Sequence, residues 1–240
     1  MSDEKTGCLI CGEELVYSDT GKEMACSFCG KKYMTDVACK NGHFICDECH
    51  GRDSKGIITA FCLNTDTRDP LKIAVMLMHH PNIHMHGPEH HYLVPAALIT
   101  AYYNETNEPE KKEEALKKAL ARSDYIKGGF CGSHGSCGAG IGTGIFISVI
   151  TGSTPLSKES WSLSNRMTAT ALMKIANAGG PRCCKRDTYL AIIEAVKFLE
   201  ENFDVALPVT EEFCCEFSGL NRECLKNECP FWCGQSDNLK

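Results

Sequence analysis

The sequence predicts a mostly α-helical protein with a small β-rich module at its front. Three observations carry that prediction. Seven cysteines and few large apolar residues fall in the first fifty positions, apolar residues then recur at helical spacing, and from Pro208 onward cysteines return without any period. The divisions read from this are a module over residues 1–52, an all-helical domain over 53–207, and an irregular Cys-rich tail over 208–240 that packs on the helices.

In the module, Cys8-x2-Cys11-Gly and Cys26-x2-Cys29-Gly form a matched pair. Each is a turn that aims two sulfurs at one metal, and four thiolates make the tetrahedral shell of a closed structural zinc site. The fourteen residues between the pairs suit a short hairpin. A second set, Cys39-x3-His43-x2-Cys46-x2-Cys49, offers three sulfurs and an imidazole, with His50 able to replace His43. Tyr33, Thr35 and Val37 alternate as a strand does. The first reading gives one zinc ion to each consecutive set. A cross-braced pairing, with the first and third pairs on one metal, stays open. In its knuckles the module resembles zinc ribbons and treble-clef fingers. Four protein ligands leave no open position, so its expected role is scaffolding or docking of a protein partner.

Helices follow. Ile-Ile-Thr-Ala-Phe-Cys62-Leu is an apolar helical run, and Cys62 is expected to be a buried, inert thiol. Asp69-Pro70 is a helix start, with Leu71, Val75 and Met78 on one face and an end near Pro81. A helix over about Glu89–Tyr103 has Pro95 as a complication, which kinks it or delays its start. Asn107-Glu108-Pro109 opens the next, whose charge run is a solvated face. A Gly-rich loop over 128–144 leads into Ile145–Ile150. Ser157 caps a helix carrying Leu163, Met167, Leu172 and Ile175, stopped by Gly179-Gly180-Pro181. Asp187 starts the last one.

Three stretches carry the chemistry. Six of the nine histidines lie between His79 and His91, and His84, His86, His90 and His91 with Glu89 form a candidate open metal site. The order differs from His-x-His-x-Asp-His, and the strands of a cupin are missing. In Cys131-Gly-Ser-His134-Gly-Ser-Cys137-Gly-Ala, a helix beginning near Cys137 or Ala139 lowers the Cys137 pKa, with His134 as base or ligand. These three residues are the catalytic candidates. No βαβ context surrounds the glycines, which argues against a dinucleotide fingerprint. Tight helix packing is the competing explanation of the glycines.

Finally, Arg182-Cys183-Cys184-Lys185-Arg186 sets two thiols among cations, which favours thiolates. The tail adds Cys214, Cys215, Cys224, Cys229 and Cys233. These seven are the cofactor-binding candidates, for an iron–sulfur cluster or a further transition metal. Cys229-Pro has the Cys-Pro step of ferredoxin-type motifs, without their spacing.

The start, Met-Ser-Asp-Glu-Lys-Thr-Gly, lacks the basic and apolar regions of a signal peptide, and the longest apolar stretch, 141–151, is too short to span a bilayer. A cytoplasmic location without a membrane is expected, where thiols stay reduced and clustered cysteines bind metal rather than pair. A net charge of −6 disfavours a nucleic-acid partner.

His-Gly-Pro-Glu-His-His at 86–91, Cys-Gly-x-x-Gly-x-Cys-Gly-Ala at 131–139 and Gly-Gly-Pro-Arg-Cys-Cys-Lys-Arg at 179–186 resemble a Cys-rich family of unknown function from methanogenic archaea and anaerobic bacteria. Some of its members are labelled methyltransferase by association. The resemblance covers most of residues 60–233 and implies an anaerobic setting, but assigns no activity. The resulting expectation is a redox or sulfur/one-carbon enzyme acting on a small thiol or one-carbon substrate. The alternatives are a non-catalytic zinc-ribbon adaptor and a metal sensor or chaperone.

Overall fold

The computed structural model describes residue 8, residues 10–11, 13–210 and 212–234. The chain start, Gly12 of the first knuckle, Glu211 and residues 235–240 of the tail lie outside the described residues. The predicted class holds. Strands β1 (Leu15–Ala25) and β2 (Lys32–Cys39) make one antiparallel hairpin, and the remaining regular structure is helical.

The hairpin differs from the one expected. The fourteen residues between the first two knuckles supply a single strand, β1, and its partner β2 comes after the second knuckle. Leu15 therefore pairs with Cys39 and Ala25 with Lys32, with an irregularity between Tyr17 and Lys22. Short helix α1 (Asp47–His50) closes this region.

Helix α2 (Ser54–Asn64) starts at Asp53, whose carboxylate accepts from the Gly56 N–H at 2.7 Å. It buries Ile57, Ile58, Phe61 and Cys62. Helix α3 (Pro70–Met78) starts as predicted, with Asp69 Oδ1 accepting from the Leu71 and Lys72 N–H groups. The other Asp69 oxygen accepts from the N–H and hydroxyl of Thr210, which fastens the start of the tail to this helix.

Helix α4 (Glu89–Glu105) is the axis of the bundle. It is buried on nearly every face and packs against α2, α3, α5 (Lys112–Ser123), α7 (Gly138–Ile150) and α9 (Cys184–Phe203). An all-round apolar helix is stable only in such a position. Pro95 neither breaks it nor delays its start. Proline has no N–H to give the carbonyl four residues earlier. That carbonyl, on His91, accepts instead from the Ser123 hydroxyl at 3.3 Å.

The Gly-rich segment is mostly helix rather than loop. After a short turn, α6 (Phe130–Ser133), helix α7 begins with Cys137 as its N-cap. Its glycines are contact points on two sides. A Cβ on Gly142 would lie 2.8 Å from the Pro95 ring of α4, and one on Gly144 would overlap Thr168 Oγ1 of α8 (Glu159–Asn177). Close helix packing, the competing explanation, accounts for these glycines. Ser157 caps the turn before α8, accepting from the Thr154 N–H, and not the helix itself. Helix α9 starts three residues before the predicted Asp187, because the Cys183 sulfur accepts from the Arg186 N–H and serves as the cap. No helix among the described residues is long and apolar enough to cross a membrane.

Candidate metal centres and the thiol cavity

The hairpin register sets which ligands meet. Because the start of β1 lies beside the end of β2, the first knuckle reaches the third. Cys8, Cys11, Cys39 and His43 form one group, and Cys26, Cys29, Cys46 and Cys49 the other, each with its ligand atoms within 4.8 Å of one another. The consecutive pairing is thus corrected to the cross-braced one. His43, not His50, is the imidazole of the first group. Across the groups, Cys8 Sγ lies 3.7 Å from His43 Nδ1, Cys11 Sγ 3.4 Å from Cys39 Sγ, and Cys29 Sγ 3.8 Å from Cys46 Sγ.

The return of the chain to the second group is held by backbone. The Ser27 N–H donates to the Phe44 carbonyl at 2.7 Å, and the Cys46 N–H to Cys26 Sγ at 3.4 Å. In the first group, the Ile10 and Asn41 N–H groups donate to the Cys8 and Cys39 sulfurs. Gly30 (φ +68°) and Gly42 (φ +83°) occupy the left-handed turns that close two knuckles, where a side chain would be strained. Burial pushes the Cys8 thiol up to about 11 and raises Cys49. Burial acts upward on Cys46 too, but the Cys49 backbone and the Tyr33 hydroxyl outweigh it and draw the thiol down to about 7. Either group could hold a metal ion.

The second group is anchored to the bundle. Phe28, between its first two cysteines, is buried edge-on against Phe61 of α2 at 5.8 Å and His80 at 5.1 Å. The Asn82 amide donates to the Arg52 carbonyl beside it.

The histidine stretch disperses. His84 Nδ1 meets Glu89 Oε1 at 3.1 Å, His86 Nε2 meets Asn221 Oδ1 at 3.2 Å, His90 Nδ1 meets the Gly87 carbonyl, and His91 Nδ1 meets the Ile126 carbonyl. Four imidazoles with four separate partners make no metal-ligating group among the described residues. The helical start of α4 turns His90 and His91 inward, while His84 remains in the exposed loop.

The Gly–Cys loop does not bring its three residues together by hydrogen bonds. His134 is exposed, pairs with the Ser133 hydroxyl at 2.7 Å and stacks on Phe130. Cys131 is half-buried. Cys137 sits at the helix start as predicted, but its thiol faces Asp187 Oδ2 at 3.8 Å. Burial, with the Asp187 charge second, pushes it up to about 12, so the expected low pKa is corrected. Desolvation outweighs the helix end.

The paired cysteines part company. Cys183 lines a small cavity that also takes in Cys215, Cys224 and Cys229 from the tail. Its walls are largely apolar, including Met85, Phe217, Phe231 and Trp232. Cys184 is not among the lining residues. Burial raises both thiols, Cys184 to about 11, so the neighbouring cations do not make them thiolates. Cys214 and Cys233 form a disulfide, Cα–Cα 5.7 Å, which removes both from the candidate ligands and departs from the expectation that clustered cysteines bind metal rather than pair. The tail is held by Phe213 and Phe231, both edge-on to Tyr189 of α9.

The sequence marked Lys185 and Arg186 as cations beside the thiols and Asp187 as a helix start, but not that all three are buried here together with Tyr189. Arg186 Nε donates to Asp187 Oδ1 at 3.2 Å and its Nη2 to the Gly179 and Pro181 carbonyls. Lys185 donates to the Ile83 carbonyl and lies 5.0 Å over the Phe217 ring. The available signal was the position of the Lys-Arg-Asp run in the first turn of an apolar helix, on the side that must face the core.

No curated protein and no solved structure matches the chain. Residues 58–232, from α2 through the tail cavity, match a family of unknown function, DUF5714. The match spans the bundle and all four cavity cysteines and leaves out the two ligand groups of the hairpin; the chain belongs to the DUF5714 family.

Proposed function

We propose that this protein is a metalloprotein whose front module holds two zinc ions as closed structural centres, and whose helical part carries redox or sulfur/one-carbon chemistry. The observation that carries the reading is the geometry of the two ligand groups. A tetrahedral zinc with Zn–S arms of about 2.3 Å has edges of about 3.8 Å. The sulfur–sulfur and sulfur–nitrogen separations across the knuckles are 3.4–3.8 Å. All four positions are filled by protein in each case, which leaves the module no room for substrate. Soft donors suited to a further metal or to thiol chemistry gather instead where α9 meets the tail.

Metal analysis of the whole chain tests the zinc part. Two zinc ions per chain are expected, with Cys26→Ser losing one and leaving the bundle folded. A chain purified in the presence of zinc that holds none overturns it.

A second reading, an adaptor that docks a protein partner, is supported by the hairpin surface. Val16, Tyr17 and Met34 are 49%, 75% and 72% exposed on a two-stranded ribbon that nothing covers among the described residues. A redox-silent protein with two zinc ions as its only metal favours that reading.

A further inference from the structure

We propose that Cys183, Cys215, Cys224 and Cys229 are the ligands of an iron–sulfur cluster of the four-iron, four-sulfide type, seated between α9 and the tail with Tyr189 as a hydrogen-bond donor to it. The inference goes beyond the function proposed above. It holds whatever ion the module carries and whichever reaction follows.

Four thiols from two distant parts of the chain line one cavity. They do not converge on a point as the hairpin ligands do, since only the two hairpin groups bring their atoms within 4.8 Å among the described residues. Four thiols that line one cavity without converging on a point suit a cluster, whose four irons each take one thiolate, better than a single ion. The adjacent Cys184 stays off the cavity because neighbouring side chains on a helix diverge.

Two further observations point to an anionic guest. The Tyr189 hydroxyl is fully buried, has no hydrogen-bond partner among the described residues, and belongs to a side chain that lines the cavity. A buried donor left unpaired is costly, so a sulfur acceptor in the cavity explains it. Lys185 is 1% exposed and has no salt bridge among the described residues, while its ammonium lies over Phe217, a wall of the cavity. Buried charges are ordinarily paired. Arg186, paired with Asp187, lines the cavity itself, as does Glu223.

The charges balance. Four cysteine thiols each release a proton to solvent and bind a cluster core of charge 2+, which gives a centre of net charge 2−. One electron from a low-potential reductant takes it to 3−. The Lys185 cation offsets part of that charge, the Arg186 charge being already paired with Asp187. N–H groups already point at two of the sulfurs, Arg186 at Cys183 and Lys226 at Cys224, each at 3.5 Å. The walls Met85, Phe217, Phe231 and Trp232 keep water off it.

The test uses the full chain purified without oxygen. Iron and acid-labile sulfide should each reach about four per chain, and the reduced protein should give the paramagnetic resonance of such a cluster. Serine at position 183, 215, 224 or 229, as in Cys183→Ser, should cost most of the iron. Cys184→Ser should keep it. Should the ligand variants misfold, Tyr189→Phe still decides. It should retain the iron and lower the midpoint potential, because the hydroxyl stabilises the more negative state. Background iron in a folded protein, a third zinc bound in the cavity, full iron in Cys183→Ser, or an unchanged potential in Tyr189→Phe would overturn the assignment.

Discussion

Leu15 and Cys39 face each other across the hairpin, and this one backbone pairing decides which thiols fall in one ligand group. A strand pair joined by a knuckle at its closed end must bring the knuckles at its open end together. Cys8 and Cys11 therefore meet Cys39 and His43, although Cys26 and Cys29 are nearer to them in sequence.

The glycines of α7 should resist replacement by alanine. In an open helix Gly→Ala stabilises by about 1 kcal/mol. Here Gly142→Ala would press a methyl onto the Pro95 ring, which cannot turn away, and Gly144→Ala onto Thr168. Each should destabilise by about 1–3 kcal/mol in denaturant melts. Adding Thr168→Ala should recover part of the loss at Gly144 and none at Gly142. Neutral single variants would mean that α4, α7 and α8 are less closely packed than described.

Asp187→Ala should be the most damaging single change near the thiols that spares every cavity cysteine. Arg186 and Asp187 are 3% and 5% exposed and pair at 3.2 Å. Removing the carboxylate strands a buried guanidinium, at a cost of about 3–5 kcal/mol. Equilibrium unfolding measures it, and a loss below about 1 kcal/mol would contradict the pairing.

Stability should fall on acidification in part through His90. Burial holds its imidazole well below the ordinary value, with no partner on Nε2 among the described residues. A base with a depressed folded pKa stays neutral in the folded chain while the unfolded chain protonates near pH 6.5. Its contribution is present above that pH and is lost as pH falls toward the folded value. One such group gives a slope of about 1.4 kcal/mol per pH unit in that range. His90→Asn, which can still reach the Gly87 carbonyl, should flatten the acid limb by up to that amount. An unchanged slope would show that His90 takes up its proton while folded.

Much of the fold was legible because its signals are local. Asp69-Pro70 and Gly179-Gly180-Pro181 mark helix boundaries whatever surrounds them. The candidate ligands of the module were legible as residue types at fixed spacing, but not their pairing, since strand register joins residues far apart in the chain. The cavity was legible only as a surplus of cysteines. Which face of α9 carries Cys183, and that Cys214 is tied to Cys233, depend on how the tail folds back. Cys137 shows the opposite failure. Its place at a helix start was correct, yet burial against Asp187 reverses the expected pKa.

That reversal changes the expected reactivity of the thiols. Cys62 is fully buried and pushed up to about 12 by desolvation, and Cys137 is pushed up to about 12 as well, though half-buried. Pulsed alkylation with mass spectrometry should label Cys137 only slowly at neutral pH, yet ahead of Cys62, and faster as the pH is raised. Rapid labelling of Cys137 at pH 7 would restore the low-pKa thiolate and count against the Asp187 contact.

The pairing of the hairpin ligands is tested most directly by replacing the metal with NMR-active cadmium and recording which cysteine β-protons couple to which ion. One cadmium should couple to Cys8, Cys11 and Cys39 and a second to Cys26, Cys29, Cys46 and Cys49. Couplings from Cys8 and Cys26 to the same ion would contradict it.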